Sequence, residues 1–442
     1  MHEGLAEIVY RAAARYRGEE TFRYLRQYQG SQWFDAQALA AYRTERLADL
    51  MAYLRQSIPF YRDLNPAGFS DLPVVGRLQM KEPGFRFVNP DLRRAASIKK
   101  TSGSTGEPVM VFRDSEGLAR EQAITWRGYG WAGIRPGARQ ARFWGNPLQA
   151  KARWTTRGKD LLLNRRRFPV FNYTEATLEK YLREFLAFSP TFVYGYVSAL
   201  ADFARFLLAR GRPLDSRGLK AVITTSEVLS DEARILIESA FGARVFNEYG
   251  CSELGTIAHE CAFGRLHVNA ETLHLEVVGE DGEIREEGRG RVLVTEFHNR
   301  VQPLVRYELG DLADISREEC ACGRALPVIR EIHGKSYDII FGPAGRKYFP
   351  EYFSYIFKDI QGDRDRIRQF QVVQVDRELQ VNIVRGKDFR EDVEAQFHRK
   401  LSQEFGAFFA CTFAYPEQIP KEKSGKFRQV KRVSPMEPFP VG

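Results

Sequence analysis

Apolar positions recur at three- and four-residue spacing from Gln37 to Ile58, where Leu39, Tyr42, Leu47, Leu50, Met51 and Leu54 share one face. That spacing predicts an amphipathic helix, which Pro59 ends. Residues 1–95 read as a helical region rich in Arg and Tyr, with its stripes devoted to packing. Further on, helical spacing over Glu116–Trp131, 174–188, Ser198–Arg210 and a segment capped by Ser230 and stopped by Gly242 alternates with short apolar runs. Those runs, Arg142–Gly145, Thr191–Tyr196, Leu219–Thr225 and Ala243–Phe246, predict buried strands, so this stretch reads as an α/β layer with a largely parallel sheet. From about 266 the pattern changes: His274–Val278 and Arg291–Thr295 flank a turn-rich stretch, predicting an antiparallel β region. Past Gly334, a hairpin over Phe370–Val375 and Leu379–Val384, a helix over Asp388–Phe405 and a strand over Phe408–Tyr415 predict a compact α+β unit.

The 442 residues, 43% hydrophobic and 13% aromatic, supply enough apolar surface for two or three domains and exclude a disordered chain. No apolar run reaches the roughly 18 residues of a membrane span, and the N-terminus lacks the pattern of a signal peptide. A soluble, cytoplasmic protein is the expectation. The net charge of +9 is local. Lys151, Arg153, Arg157, Lys159, Arg165, Arg166 and Arg167 surround a single acid, Asp160. That stretch reads as a solvated loop or as a patch attracting a phosphorylated ligand; no zinc-finger, basic-zipper or RNA-binding pattern accompanies it.

Four segments carry candidate chemistry. Thr101-Ser102-Gly103-Ser104-Thr105-Gly106 offers backbone amides and hydroxyls to an anion with no bulky side chain in the way, though it lacks P-loop spacing; a surface hairpin is the other reading. Thr224-Thr225-Ser226-Glu227 and Asn247-Glu248-Tyr249-Gly250-Cys251-Ser252-Glu253 follow buried strands, where open α/β sheets bind ligands. In Arg306-Tyr307-Glu308-Leu309-Gly310-Asp311 an acid follows a glycine turn, suited to ribose hydroxyls or to capping the turn. Lys426 lies in a basic Gly-containing loop near the C-terminus. Cys261, His267, Cys320 and Cys322 suit a tetrahedral zinc site, with His259 a rival ligand and reduced buried thiols the alternative.

In this order these segments resemble the adenylate-forming superfamily of acyl-CoA ligases, luciferases and adenylation domains. The Asn247–Glu253 wording and Cys320-Ala321-Cys322-Gly323-Arg324 look most like the phenylacetate–CoA ligase branch, and Trp33-Phe34 with Pro59-Phe60-Tyr61-Arg62 resemble its CapK-like proteins. The resemblance implies an α/β fold with a large N-terminal domain (1–334, of which 1–95 is a helical extension) and a small mobile α+β domain (335–442). It implies ATP-dependent formation of an acyl-adenylate from a small carboxylic acid, with loss of pyrophosphate. Thr101 to Gly106 would hold the β- and γ-phosphates and Glu253 Mg²⁺. Ser226, Glu227, Asn247, Glu248, Tyr249 and Gly250 would line the nucleotide and acyl pocket, while Asp311 would bind the ribose. Lys426 would offset charge between carboxylate and phosphate, then leave as the small domain rotates.

Two acceptors stay open: CoA, or an amine or hydroxyl on a sugar or natural-product intermediate. A basic polyanion-binding protein without activity is a third reading. The resemblance implies no nucleic-acid partner, and a homodimer is what the branch suggests. One departure stands out. Where the family has Gly-Arg-x-Asp-Asp at the hinge, this chain has Gly334-Lys335-Ser336-Tyr337-Asp338, which keeps a cation but loses the guanidinium fork.

Overall fold

The computed structural model describes residues 1–76, 79–81, 86–100, 110–144, 150–170, 174–211, 213–214, 218–227, 229, 231–279, 281–333, 340–343, 346–348, 350–361, 366–417, 419 and 430–433. Four helices open the chain: α1 (Glu3–Tyr16), α2 (Thr21–Ser31), α3 (Ala36–Ser57) and α4 (Pro59–Leu64). Asp35 starts α3 by accepting from the Ala38 amide at 2.7 Å, and Pro59 occupies the first turn of α4. The predicted apolar stripe is the buried one. Leu50, Met51 and Leu54 pack with Phe87, Phe297 and Val305.

Strands β1 (Ser97–Lys100) and β2 (Met110–Arg113) pair antiparallel with Lys100 opposite Met110, so the Thr/Ser/Gly segment joins adjacent strand ends. After α5 (Ser115–Trp131) comes a twelve-stranded sheet. One half is parallel, in the order β4 (Arg165–Pro169), β3 (Gln140–Trp144), β5 (Phe192–Tyr196), β6 (Ala221–Thr225), β7 (Val245–Cys251). Its connections are α6 (Ala150–Leu162), α7 (Glu175–Phe188), α8 (Val197–Ala209) and α9 (Asp231–Phe241). The order then continues antiparallel through β8 (Gly255–Glu260), β9 (Leu266–Val268), β14 (Val328–His333), β13 (Tyr307–Ser316), β12 (Gly288–Glu296), β10 (Leu273–Val278) and β11 (Ile284–Arg285). The predicted parallel layer and β region are therefore one sheet, because β7 pairs parallel with β6 on one edge and folds into a hairpin with β8 on the other.

Side-chain alternation sorts the parallel strands between two layers. Phe143, Val193, Val222 and Val245 join a core built with α7, α8 and α9. Phe192, Tyr194, Ile223 and Phe246 pack instead around Tyr129 and Trp126 of α5.

The C-terminal part begins with the short pair β15 (Ile340–Phe341) and β16 (Lys347–Tyr348). Helix α10 (Pro350–Gln361), the hairpin β17 (Ile367–Val375) and β18 (Glu378–Arg385), α11 (Asp392–Phe405), β19 (Ala410–Ala414) and β20 (Val430–Arg432) follow. The sheet order is β19-β18-β17-β20. Phe357 of α10 stacks on Phe370 and packs on Phe397 of α11, with centroids 3.6 and 4.9 Å apart.

One expectation is corrected. The basic stretch 151–167 is a helix and a strand, α6 and β4, and part of its charge is internally matched. Asp160 pairs with Arg165 at 3.5 Å and with Arg167 at 3.0 Å, while Arg166 pairs with Glu184 at 3.0 Å. Among the described residues no helix is long and apolar enough to cross a membrane.

Candidate active site

Two segments far apart in sequence meet where β7 turns into β8. The Tyr249 hydroxyl donates to Asp311 Oδ2 at 3.0 Å, and the Tyr307 hydroxyl donates to Glu253 Oε1 at 3.3 Å. Each segment thus contributes one phenol and one acid. Burial, with the Asp311 carboxylate beside it, pushes the Tyr249 phenol well up, so it stays a donor.

Irregular pairing aims these groups. Asp311 was expected after a simple glycine turn; it lies within β13 instead. Arg291 pairs with Leu312 and Leu293 with Glu308, so Leu309, Gly310 and Asp311 stand opposite Val292 alone. Gly310 takes φ +76 there, and such a bulge redirects the following side chain. In the β7–β8 hairpin a Cβ on Gly250 would lie 2.4 Å from the Gly255 carbonyl oxygen, so no larger residue fits. Cys251 lies in this hairpin, and burial keeps its thiol protonated and unsuited to nucleophilic attack.

At the neighbouring strand ends, Tyr196 pairs in register with Thr225, and Thr225 with Glu248. Glu248 is buried and accepts from the Tyr194 hydroxyl at 2.8 Å. Ser226, the first residue past β6, takes φ +70, a conformation that a side chain disfavours and that often marks functional turns. Half-buried Glu227 follows it. Asn247 alternates to the other face, where its amide oxygen accepts from the Thr224 hydroxyl at 3.3 Å.

A charged node links the β7–β8 hairpin to the strands that flank the Thr101–Gly106 segment. Lys99, at the end of β1, pairs with Glu121 of α5 at 2.5 Å, and Arg113 of β2 lies 3.6 Å from the same carboxylate. Gly255, at φ +79, lies so close to Glu121 that a Cβ there would sit 2.5 Å from its carboxylate. The candidates Thr101, Ser102, Gly103, Ser104, Thr105, Gly106, Lys335 and Lys426 lie outside the described residues, as do Tyr337 and Asp338.

Sequence reasoning missed Glu121 and gave Lys99, Arg142 and Tyr307 no role. Glu121 carries no local signal, being one acid in a mixed helix. Tyr307 could have been found from its symmetry with Tyr249, since each precedes or follows an acid in a Gly-containing segment.

Apart from this region, Cys261, His267, Cys320 and Cys322 converge, with all four ligand atoms within 4.8 Å of one another. The Cys261 and Cys320 sulfurs are 3.8 Å apart, and Cys322 Sγ is 3.3 Å from His267 Nε2. Zinc–sulfur bonds of about 2.3 Å in a tetrahedron put sulfurs about 3.8 Å apart, so the donor set fits zinc. His267 Nδ1 donates to the Leu326 carbonyl at 3.0 Å, which leaves Nε2 facing the thiols. His259 is outside this group: its Nδ1 bonds the Glu260 carbonyl at 3.1 Å, and the ring packs against Tyr129 and Trp131.

Comparison with known proteins gives the same direction from three sides. A family described as the CapK C-terminal domain matches residues 340–433. Phenylacetate–coenzyme A ligase of Thermus thermophilus is 26% identical over 435 residues, covering 89% of this chain and 96% of the relative. Protein CapK of Staphylococcus aureus is 22% identical over 407 residues, 87% of each chain. Among solved structures, 2-hydroxyisobutyryl-CoA ligase with its acyl-adenylate and CoA in the thioesterification state superposes with a TM-score of 0.59 at 18% identity, covering 91% of this chain and 92% of that one. The same enzyme in its postadenylation state gives 0.57. The chain therefore has the fold of these ligases.

Proposed function

We propose that this chain, an adenylate-forming enzyme of the phenylacetate–CoA ligase and CapK branch, activates a carboxylic acid as its acyl-adenylate and passes the acyl group to CoA. The observation that carries this reading is the crossed pair of bonds, Tyr249 to Asp311 and Tyr307 to Glu253. They fix two carboxylates beside the C-terminal ends of the parallel strands, where such sheets bind nucleotides.

In this reading Asp311 accepts from the ribose hydroxyls, oriented by Tyr249. Glu253, a hard oxygen donor steadied by Tyr307, suits Mg²⁺, which would neutralise phosphate charge when bound. Thr101 to Gly106 cover the β- and γ-phosphates from a base that Lys99 and Glu121 brace. Ser226, Glu227, Asn247, Glu248 and Gly250 shape the adenine and acyl side. The substrate carboxylate attacks the α-phosphorus and pyrophosphate leaves, while Lys426 offsets the charge that opposes approach. Residues 1–334 form the adenylation domain, with 1–95 as its extension. Residues 335–442 form the small domain, which rotates about Lys335 and its neighbours to admit the acceptor. Zinc at Cys261, His267, Cys320 and Cys322 is structural, since four protein donors leave no open position.

A second acceptor reading keeps the same first step and transfers the acyl group to an amine or hydroxyl. ATP–pyrophosphate exchange across a panel of carboxylic acids tests the shared first step. Exchange that depends on one acid, and falls by roughly a hundredfold or more in Lys426→Ala, is the expected result. No exchange with any acid ends the reading. Adding CoA or amine acceptors to a positive reaction then separates the two second steps.

A further inference from the structure

Glu248, on the adenine and acyl side, has a carboxylate oxygen for which the adenylation chemistry itself gives no partner. Trp144 stacks over Tyr196 with centroids 4.2 Å apart, and Tyr196, Thr225 and Glu248 follow one another across β5, β6 and β7. The Arg142 guanidinium lies against both rings of a stacked pair, 4.5 Å from the centre of Trp144 and 4.7 Å from that of Tyr194, whose centres are 5.6 Å apart. Tyr194 satisfies Glu248 Oε1. Glu248 Oε2 is buried with no hydrogen-bond partner among the described residues, and no ion pair joins it to Arg142. Burial pushes the Glu248 carboxyl up, with the Tyr194, Thr225 and Thr256 hydroxyls and the Arg142 charge pulling the other way. A buried carboxylate oxygen without a donor is uncommon in native structures, and the strand register puts Glu248 on the same sheet face as Tyr194 and Tyr196.

We infer that Glu248 selects the substrate: the acid activated by this chain carries a hydroxyl or amino group whose hydrogen Glu248 Oε2 accepts. The inference rests on the adenylation reading and names the substrate class of that site. An acid lacking the donor would strip water from Oε2 and return nothing, which discriminates far more strongly than the loss of a methylene does. The flat surfaces of Trp144, Tyr194 and Tyr196 suit a compact body for such an acid.

Matched sets test it by ATP–pyrophosphate exchange: phenylacetate with its 4-hydroxy and 4-amino forms, and butyrate with its 4-hydroxy and 4-amino forms. The wild-type chain is expected to favour a donor-bearing member over its unsubstituted parent by roughly tenfold or more in kcat/KM. Glu248→Leu is expected to erase or invert that ratio. Glu248→Gln separates the two donors, because the amide can exchange hydrogen bonds with a hydroxyl yet cannot balance an ammonium; this isosteric variant also carries the test should the leucine variant not fold. Equal use of parent and substituted acids by the wild type, or an unchanged ratio in the variants, overturns the role of Glu248 and leaves adenylation standing. Absence of exchange with every acid overturns both.

Discussion

The Tyr249 hydroxyl and the Asp311 carboxylate, 62 residues apart in sequence, are 3.0 Å apart in the fold. Neither residue is placed by a regular strand alone. Asp311 reaches the bond through the bulge at Leu309–Asp311, and Tyr249 reaches it at the point where β7 loses register against β8, between Tyr249 and Gly250. One phenol donor leaves a carboxylate three further lone pairs, enough to accept from two vicinal hydroxyls. The bond is thus an orienting contact.

Tyr249→Phe isolates that orientation. A hydrogen bond to a charged group is worth about 1.5–3 kcal/mol, so the KM for ATP in the exchange reaction should rise by roughly tenfold or more. The thermal midpoint should change little, because the ring keeps its packing. An unchanged KM for ATP would separate Asp311 from the nucleotide.

Glu121 braces the base of the Thr101–Gly106 segment through Lys99, and Arg113 holds it from the other side. Arg113 is buried and also pairs with Glu296 at 2.5 Å, so it keeps a partner when Glu121 is lost. Among the described residues Lys99 has no second acid within ion-pair distance, and Glu121→Gln should leave it poorly held. The expected outcome is a several-fold loss of kcat/KM for ATP and a destabilisation of about 1–3 kcal/mol. Urea unfolding alongside initial-rate kinetics checks both. Full activity in this variant would make the node purely structural.

Metal analysis of the purified protein should find about one zinc per chain. Chelation, or Cys320→Ser, should lower the unfolding midpoint by several degrees, because structural zinc contributes directly to folding. Activity should fall only in step with the folded fraction. A metal-free chain of unchanged stability would leave the four residues as reduced, packed side chains.

Much of the order of elements was legible because periodicity reports burial, and burial is what these elements share. Leu50, Met51 and Leu54 announced α3, and Val222 and Ile223 announced β6, from side-chain spacing alone. What stayed hidden depends on pairing. Nothing local to Gly310 distinguishes a turn from a bulge; the difference lies in which residues of β12 stand opposite. The basic stretch misled for a related reason. Asp160 is a single acid, yet its position on α6 lets it reach both Arg165 and Arg167 across the turn into β4, and the pattern of charges does not reveal such geometry. The convergence of Cys261 and His267 with Cys320 and Cys322 was readable in residue type, while the exclusion of His259 came only from its packing against Tyr129 and Trp131.

Buried histidines make stability depend on pH, and two of them lie against cations. His274 accepts at Nδ1 from Arg43 at 2.6 Å, and His298 is enclosed with Arg120 and Arg300 among the charges acting on it. Burial, then these cations, pull both imidazoles from the ordinary 6.5 down to about 3. A protonated His274 would also turn a donor toward the Arg43 donor. In the unfolded chain both rings protonate near 6.5, so below that value the unfolded state binds up to two more protons than the folded one. The sign follows: the contribution is fully present above about pH 6.5 and is lost as pH falls from there toward 3. These two rings contribute up to about 2.7 kcal/mol per pH unit to the slope, and His259 and His267, pulled down to about 4, add to it. Urea unfolding at pH 7.5, 6.5 and 5.5 should therefore show falling stability, and His298→Gln should lower the slope by about 1.4 kcal/mol per pH unit. A flat profile down to pH 5.5, or an undiminished slope in the variant, would mean that these rings gain protons in the folded state as readily as they do in the unfolded one.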